Sequence, residues 1–432
     1  MPLFNPSPHP KDQPMPPRPA SAAIIRENNL SLVLRLIHAA GSISRAEIIR
    51  RTGLSATTVS ALANVLIESG FVREAGIGES SGGRRPILME FNYQHRYGLG
   101  IDMGASHVTT VLLDLSGRLV SRQSRRCDVI NEPELTFTVI RELTDLALKQ
   151  AGIEPDHLLG VGLTVPTPLG GEQLDRLVTY YMPVWEGILP KPKVRAMFPG
   201  LPIYLENDAN AGAIGEKWWG SGQEFANLAY IKIGIGVGSG LVMNHQIYRG
   251  ESGTAGEIGH TTIEVNGRRC RCGNHGCMEA YVGGPGLLAD AHTAMLANPQ
   301  PTATLPATVE ELVASALSGD ATCRQVVQNA GRYLGTSIAN LLNLVNPGLV
   351  ILGGELVQAG ELLMGPIHAS IRERVMPIAA QQAAIVAGKL GNDAIAIGAA
   401  TLVIQNAFEP AQLAKTLSGR TAAQKSVQGG VF

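Results

Sequence analysis

No run of 18 or more consecutive apolar residues occurs in this 432-residue chain, so no membrane-spanning helix and no membrane partner are expected. An excess of one charge is also missing. The 35 Lys and Arg stand against 36 Asp and Glu, which excludes a uniformly basic nucleic-acid coat and an acidic solvating tail. The N-terminus, residues 1–19, lacks the apolar core of a secretory signal peptide. Cysteine is scarce: five in all, with three crowded between Cys270 and Cys277, a pattern that suits a metal site and not a secreted disulfide framework. A soluble, cytoplasmic protein is expected, and at roughly 150 residues per domain it has two or three domains.

What is present is unevenly spread. Residues 1–20 hold eight of the 26 prolines and little that is apolar, the composition of a disordered leader. Residues 412–432 are polar and rich in small side chains, and a loose tail is expected there. Residues 21–92 read as one module. Ile24, Leu30, Leu32, Val33, Leu36 and Ile37 recur at helical spacing until Gly41 stops the helix. Ser44 with Glu47 three residues on forms a capping box for a second helix. Thr52-Gly53-Leu54 makes a turn, and Ser55 caps a third helix running to about Ser69. Two short strands, 71–74 and 86–91, then flank a Gly/Ser loop ending in Arg84-Arg85.

Three helices and a hairpin outline a winged helix-turn-helix, with operator DNA as the expected partner. The hydroxyls of Ser55, Thr57, Thr58 and Ser60 at the start of the third helix suit phosphates or base edges. Arg84 and Arg85 on the flexible wing suit phosphates or the minor groove. The competing reading is a helical protein-interaction module, because Ser and Thr are ordinary caps; helix, turn and basic wing in this order favour DNA. Two-fold symmetric binding to palindromic sites makes a homodimer or a dimer of dimers the expected assembly.

Residues 96–405 alternate strands and helices and repeat a pattern. Residues 97–114 read as strand, glycine turn, strand, and a hairpin at Ser116-Gly117 leads to a third strand. Residues 228–243 repeat the motif, with Asn244-His245 as the hairpin. Each copy continues through a long helix to a buried apolar strand, at 159–165 and at 349–352. Two such copies predict a bilobed α/β fold with a cleft between the lobes, and this resembles the actin-like sugar-kinase (RNase H-like) architecture. His260, Cys270, Cys272 and Cys277 give the spacing H-x9-C-x-C-x4-C, a good tetrahedral Zn²⁺ set. With four protein ligands the ion is expected to be structural. His275 is a competing ligand.

Three motifs give the chain a family resemblance: Glu206-Asn207-Asp208-Ala209-Asn210, Gly256-Glu257-Ile258-Gly259-His260, and Cys270-x-Cys272-x-x-x-x-Cys277-x-Glu279. The chain resembles the ROK (repressor, open reading frame, kinase) family, and the winged helix resembles that of the family's transcriptional regulators. The resemblance implies a monosaccharide effector bound by Asn207, Asp208, Glu257, His260 and Glu279. It also implies that His260 serves both zinc and sugar, and that Asp208 is the catalytic base if the chain is a kinase. Specificity is expected from the loop 164–170 or from around Trp185. The phosphate loops depart from the family pattern. Ala105 and His107 replace glycine and lysine, Ile235 replaces a hydroxyl, and Glu355 follows Gly353-Gly354. These changes argue against ATP/Mg²⁺ binding. The expected function is a sugar-responsive transcriptional regulator of the repressor type, the alternative being an ATP-dependent sugar kinase that retains a DNA-binding domain.

Overall fold

A computed structural model describes residues 21–78, 85–171, 175–179, 182–297 and 305–417. The expected leader, Arg84 of the wing and the end of the expected tail lie outside these residues. The chain forms two compact units, one up to Asn92 together with the residues from Asn406, the other Tyr93–Gln405. Among the described residues no single helix is long and apolar enough to cross a membrane.

The first unit runs α1 (Ala22–Ala40), β1 (Ser42–Ser44), α2 (Arg45–Thr52), α3 (Ala56–Glu68), β2 (Val72–Ile77) and β3 (Ile87–Phe91). In α1 the buried face is Leu30, Val33, Leu34 and Ile37, at the i, i+3, i+4, i+7 spacing of one helical stripe. Ile24 and Leu32, expected on that face, are about half exposed. Ser44 accepts from the Glu47 amide at 3.2 Å, but the Glu47 carboxylate turns to Arg50 and Arg51, so only half of the expected capping box forms. Gly53, at φ 70°, makes the turn, and the Ser55 hydroxyl caps α3 by accepting from Thr58 N. The sheet has the order β1-β3-β2; the three-residue β1 was not expected.

The tail expected from 412 needs correction. Pro410–Leu417 is helical, and Leu413 is fully buried. Phe408 packs against Phe71 and Phe91, with ring centroids 6.5 and 5.7 Å away, and its carbonyl accepts from the Ser31 hydroxyl at 3.1 Å. The winged-helix unit is therefore discontinuous in sequence, and the expected module 21–92 lacks one of its parts.

The second unit contains two five-stranded sheets. The first is built from β4 (Tyr97–Gly104), β5 (His107–Asp114), β6 (Leu119–Arg126), α4 (Pro133–Ala151) and β7 (Leu158–Val165). It continues through the short hairpin β8 (Leu169–Gly170) and β9 (Arg176–Leu177), α5 (Pro190–Met197) and β10 (Ile203–Asn207). After α6 (Asp208–Trp219), the second sheet uses β11 (Leu228–Ile233), β12 (Val237–Met243) and β13 (Gln246–Tyr248). Helices α7 (Glu279–Val282), α8 (Gly284–Ala297), α9 (Val309–Leu317) and α10 (Ala321–Leu344) come next, then β14 (Leu349–Gly353), α11 (Glu361–Arg374), α12 (Pro377–Gln382), β15 (Ala384–Ala387) and α13 (Ala394–Ala407). The sheet orders are β6-β5-β4-β7-β10 and β13-β12-β11-β14-β15. Each is an antiparallel meander extended by two parallel strands, which is the repeated pattern legible in the sequence. One core packs α4 on the first sheet through Leu99, Val108, Phe137 and Ile140. Another packs α10 and its neighbours on the second through Ile231, Val327, Leu334 and Ile367. Helix α13 lies so close to the first sheet that a Cβ at Gly100 or Gly162 would collide with the carbonyls of Ala396 and Ala399.

Candidate functional site

The ends of the strands from both sheets open onto one cleft of about 730 Å³, within the range of small-molecule sites. Asn207, Asp208, Glu257, His260 and Glu279 all line it. Asn207 ends β10 and caps α6, its Oδ1 accepting from Ala209 N at 2.9 Å and Asn210 N at 3.2 Å. Its Nδ2 donates to the Thr167 carbonyl at 3.3 Å. Asp208, the first residue of α6, is 5% exposed; Oδ1 accepts from Ala209 N at 2.7 Å and Oδ2 from Lys232. Glu206 sets this turn from behind. Its buried carboxylate accepts from Asn207 N, from Asn210 Nδ2 at 3.0 Å and from Arg249 Nε at 3.1 Å, which joins β10 to the segment leading to Glu257.

Glu257 and His260 flank a short 3₁₀ turn, Ile258–His260, and Glu257 Oε2 stands 3.8 Å from His260 Nε2. Burial, with Asp208 and Glu279 nearby, pushes Glu257 up to about 7. Glu279 opens α7 and is 6% exposed. It accepts from Arg271 Nε at 2.6 Å, from Arg271 Nη2 at 3.1 Å and from Val237 N at 2.9 Å. A Cβ at Gly236 would strike this Arg271–Glu279 pair, so the glycine-rich loop serves a carboxylate clamp here.

Behind that clamp, His260, Cys270, Cys272 and Cys277 bring one ligand atom each within 4.8 Å of one another. Cys270 Sγ is 3.7 Å from His260 Nδ1, and Cys272 Sγ is 3.6 Å from Cys277 Sγ. A tetrahedron with metal–sulfur bonds of about 2.3 Å has edges of about 3.8 Å, so the set fits a tetrahedral ion. Burial and the neighbouring sulfurs push the Cys277 thiol up to about 12, so deprotonating these thiols together calls for a cation among them. Burial holds His260 below the usual range, in the neutral form that a metal requires. His275 is exposed and outside the group; its competing candidacy ends there.

At the first phosphate-type loop, Asp102 is buried, and both its oxygens have partners: Oδ1 accepts from the Thr164 hydroxyl at 2.8 Å and Oδ2 faces His107 Nε2 at 3.1 Å. Burial pulls His107 down, but the Asp102 hydrogen bond and charge outweigh it, and the imidazole sits above its ordinary value. Ile235 and Glu355 both line the cleft. Trp185 does not. It is fully buried, donating Nε1 to the Val129 carbonyl at 2.7 Å, while Met182, three residues before it, does line the cleft. Pro166, Thr167 and Pro168 of the 164–170 loop do line the cleft.

In the winged-helix unit Ser55 and Thr57 are exposed, Thr58 and Ser60 are half-buried, and Arg85 is exposed. The Ser55 hydroxyl is shared between the Thr58 amide and the Thr58 hydroxyl, 2.8 Å away. Sequence reasoning missed Lys232, Arg271 and Arg249. The signal for Lys232 was a lone lysine in the apolar strand 228–233, running into the glycine loop.

Residues 98–406 match the ROK family, and residues 31–85 match the MarR family. The xylose repressor of Bacillus subtilis strain 168 is 33% identical over 387 residues, covering 90% of this chain and 97% of the repressor. A solved ROK family transcriptional regulator, described as a homologue of the Escherichia coli Mlc protein, is 26% identical with a TM-score of 0.75. It covers 91% of this chain and 100% of its own. A ROK family glucokinase from Streptomyces griseus, solved with glucose and AMPPNP, is 28% identical with a TM-score of 0.64, covering 72% of this chain and 99% of its own. The bilobed unit thus has the sugar-kinase-like fold of these proteins, and the chain belongs to the ROK family, among its members with an N-terminal winged helix.

Proposed function

We propose that the protein is a sugar-responsive transcriptional repressor, with a winged helix that binds operator DNA and a cleft that holds a monosaccharide effector. One observation carries this reading. Five polar side chains from three segments converge on one cleft, and the same chain has a winged-helix unit. Carboxylates, an amide and an imidazole in a single concave site are what a ring of hydroxyls needs for recognition. The relatives named xylose repressors make xylose the first effector to try.

Zinc is the ion proposed for His260, Cys270, Cys272 and Cys277. Four protein ligands leave no open position, so its role is to hold His260 and the Glu279 segment in place. Nδ1 of His260 faces the thiols, and Nε2 stands 3.8 Å from Glu257 Oε2, another residue of the cleft. Ser55, Thr57, Thr58, Ser60, Arg84 and Arg85 are the proposed DNA contacts, and a homodimer or dimer of dimers would match a palindromic operator. A sugar releases DNA only if it binds better to the conformer with the weaker DNA affinity, and that coupling is reciprocal.

The test uses a duplex selected for binding from a random-sequence pool, followed by fluorescence anisotropy with xylose, glucose or N-acetylglucosamine. One sugar should weaken DNA binding by about 5–150-fold, and the duplex should weaken that sugar's binding by the same factor. Unchanged DNA affinity with every sugar, together with no calorimetric heat from any, would sink the reading.

A further inference from the structure

Three carboxylates line the cleft and are the groups to which a nucleotide's divalent ion could bind: Asp102 of β4, Asp208 of α6 and Glu355 just after β14. Such an ion is bound through one or two carboxylates together with substrate phosphates, and it needs free oxygen lone pairs. Two of the three carboxylates are already engaged. Lys232, the penultimate residue of strand β11, places its ammonium on Asp208 Oδ2 with its side chain only 19% exposed. His107 and Thr164 take the two oxygens of Asp102. Ile235 stands on the adjoining loop, where it offers a phosphate no hydroxyl.

We propose that Lys232, seconded by His107, is the resident cation of this seat and the residue that excludes a magnesium–nucleotide complex from the cleft, leaving a site that binds a neutral sugar and does not phosphorylate it. The proposal rests on the sugar-binding reading above. Burial works against the lysine's charge, but Asp208, Asp102 and Glu355 outweigh it and keep the ammonium above the usual lysine range. The charge is thus permanent at any physiological pH, and a dication brought beside it meets direct repulsion. Lys232 also engages Asp208, the residue that would act as the base if the chain were a kinase. Asp208 therefore remains a fixed acceptor for a sugar hydroxyl, without the metal and the phosphoryl donor that would make the reaction proceed.

The experiment uses the full-length, zinc-loaded protein and reads free Mn²⁺ by electron paramagnetic resonance, with AMPPNP added in a second series. The wild type and Lys232→Arg, which keeps the charge, should leave the Mn²⁺ signal unchanged. Lys232→Met should bind Mn²⁺ at least about tenfold more tightly, and Asp208→Asn added to it should abolish the gain. Mn²⁺ or nucleotide binding by the wild type would overturn the proposal. So would a folded Lys232→Met protein, with an unchanged circular dichroism spectrum, that gains no Mn²⁺ affinity, or a gain that survives Asp208→Asn. The sugar reading fails separately, through the anisotropy experiment, whatever the manganese result.

Discussion

Asp208 faces in two directions, one oxygen on its own helix terminus and the other on Lys232, and both lie in the cleft wall. Replacing it with Asn keeps the shape and removes a charged acceptor. A hydrogen bond to a charged group contributes about 1.5–3 kcal/mol, so Asp208→Asn should weaken sugar binding by roughly 10- to 150-fold. The melting temperature should also fall, because Lys232 loses its partner. DNA affinity without sugar, measured by anisotropy below the melting transition, should stay unchanged; an equal loss of both would show that sensing and reading are not separable. That Asn207, Asp208, Glu257, His260 and Glu279 share a cleft was legible because each sits in a short local motif. Lys232 and Arg249 were not, since their partners lie 24 and 43 residues away in sequence and meet them only in the folded chain. Arg271, eight residues from Glu279, stands between Cys270 and Cys272, whose spacing points to a metal and not to a carboxylate partner.

Among the elements, those with a strong period or a cap were readable. The α1 stripe, the Ser44 and Ser55 caps and the two glycine-turn meanders follow from local chemistry. Strand β1 has three residues, too few for alternation to show, and exists because it pairs with β3. The metal loop was readable for a different reason: its donors sit close in sequence, and its glycines allow a tight path. A Cβ at Gly276, which has φ 70°, would strike the Glu264 carbonyl. This loop also carries Arg271 and leads into Glu279, so its order should be felt in the cleft. A strong chelator should release one zinc per chain, measurable with a colorimetric dye, and sugar affinity should fall about tenfold or more. DNA binding in the absence of sugar should persist. Full sugar affinity after complete zinc removal would mean that the loop holds its shape without the ion.

On the scale of the whole chain, the division into a winged helix and a two-sheet unit was legible, and the return of the C-terminus to the first unit was not. The segment 410–417 is polar and small apart from Leu413 and Leu417, and nothing in its composition marks it as part of a core. Its place depends on Phe408 and Leu413 finding apolar neighbours contributed by residues far earlier in the sequence. Leu413→Ala should therefore destabilise the winged-helix unit by about 2–5 kcal/mol, the range for buried leucine truncations. In thermal unfolding followed by DNA binding, the loss of DNA affinity should move to lower temperature while calorimetric sugar affinity stays constant. A variant that keeps wild-type DNA binding across that range would mean that the C-terminal helix adds nothing to the unit's stability.

The discontinuity of the first unit also sets an order of events during synthesis. Its early part, through Asn92, is synthesised before residues 93–405, and Phe408 and Leu413 follow only afterwards. At translation rates of about 5–20 residues per second this interval is roughly 15–60 s. For that time the nascent chain holds the winged helix without the residues that complete its core. The reader is completed only after the residues that form the sensor have been synthesised.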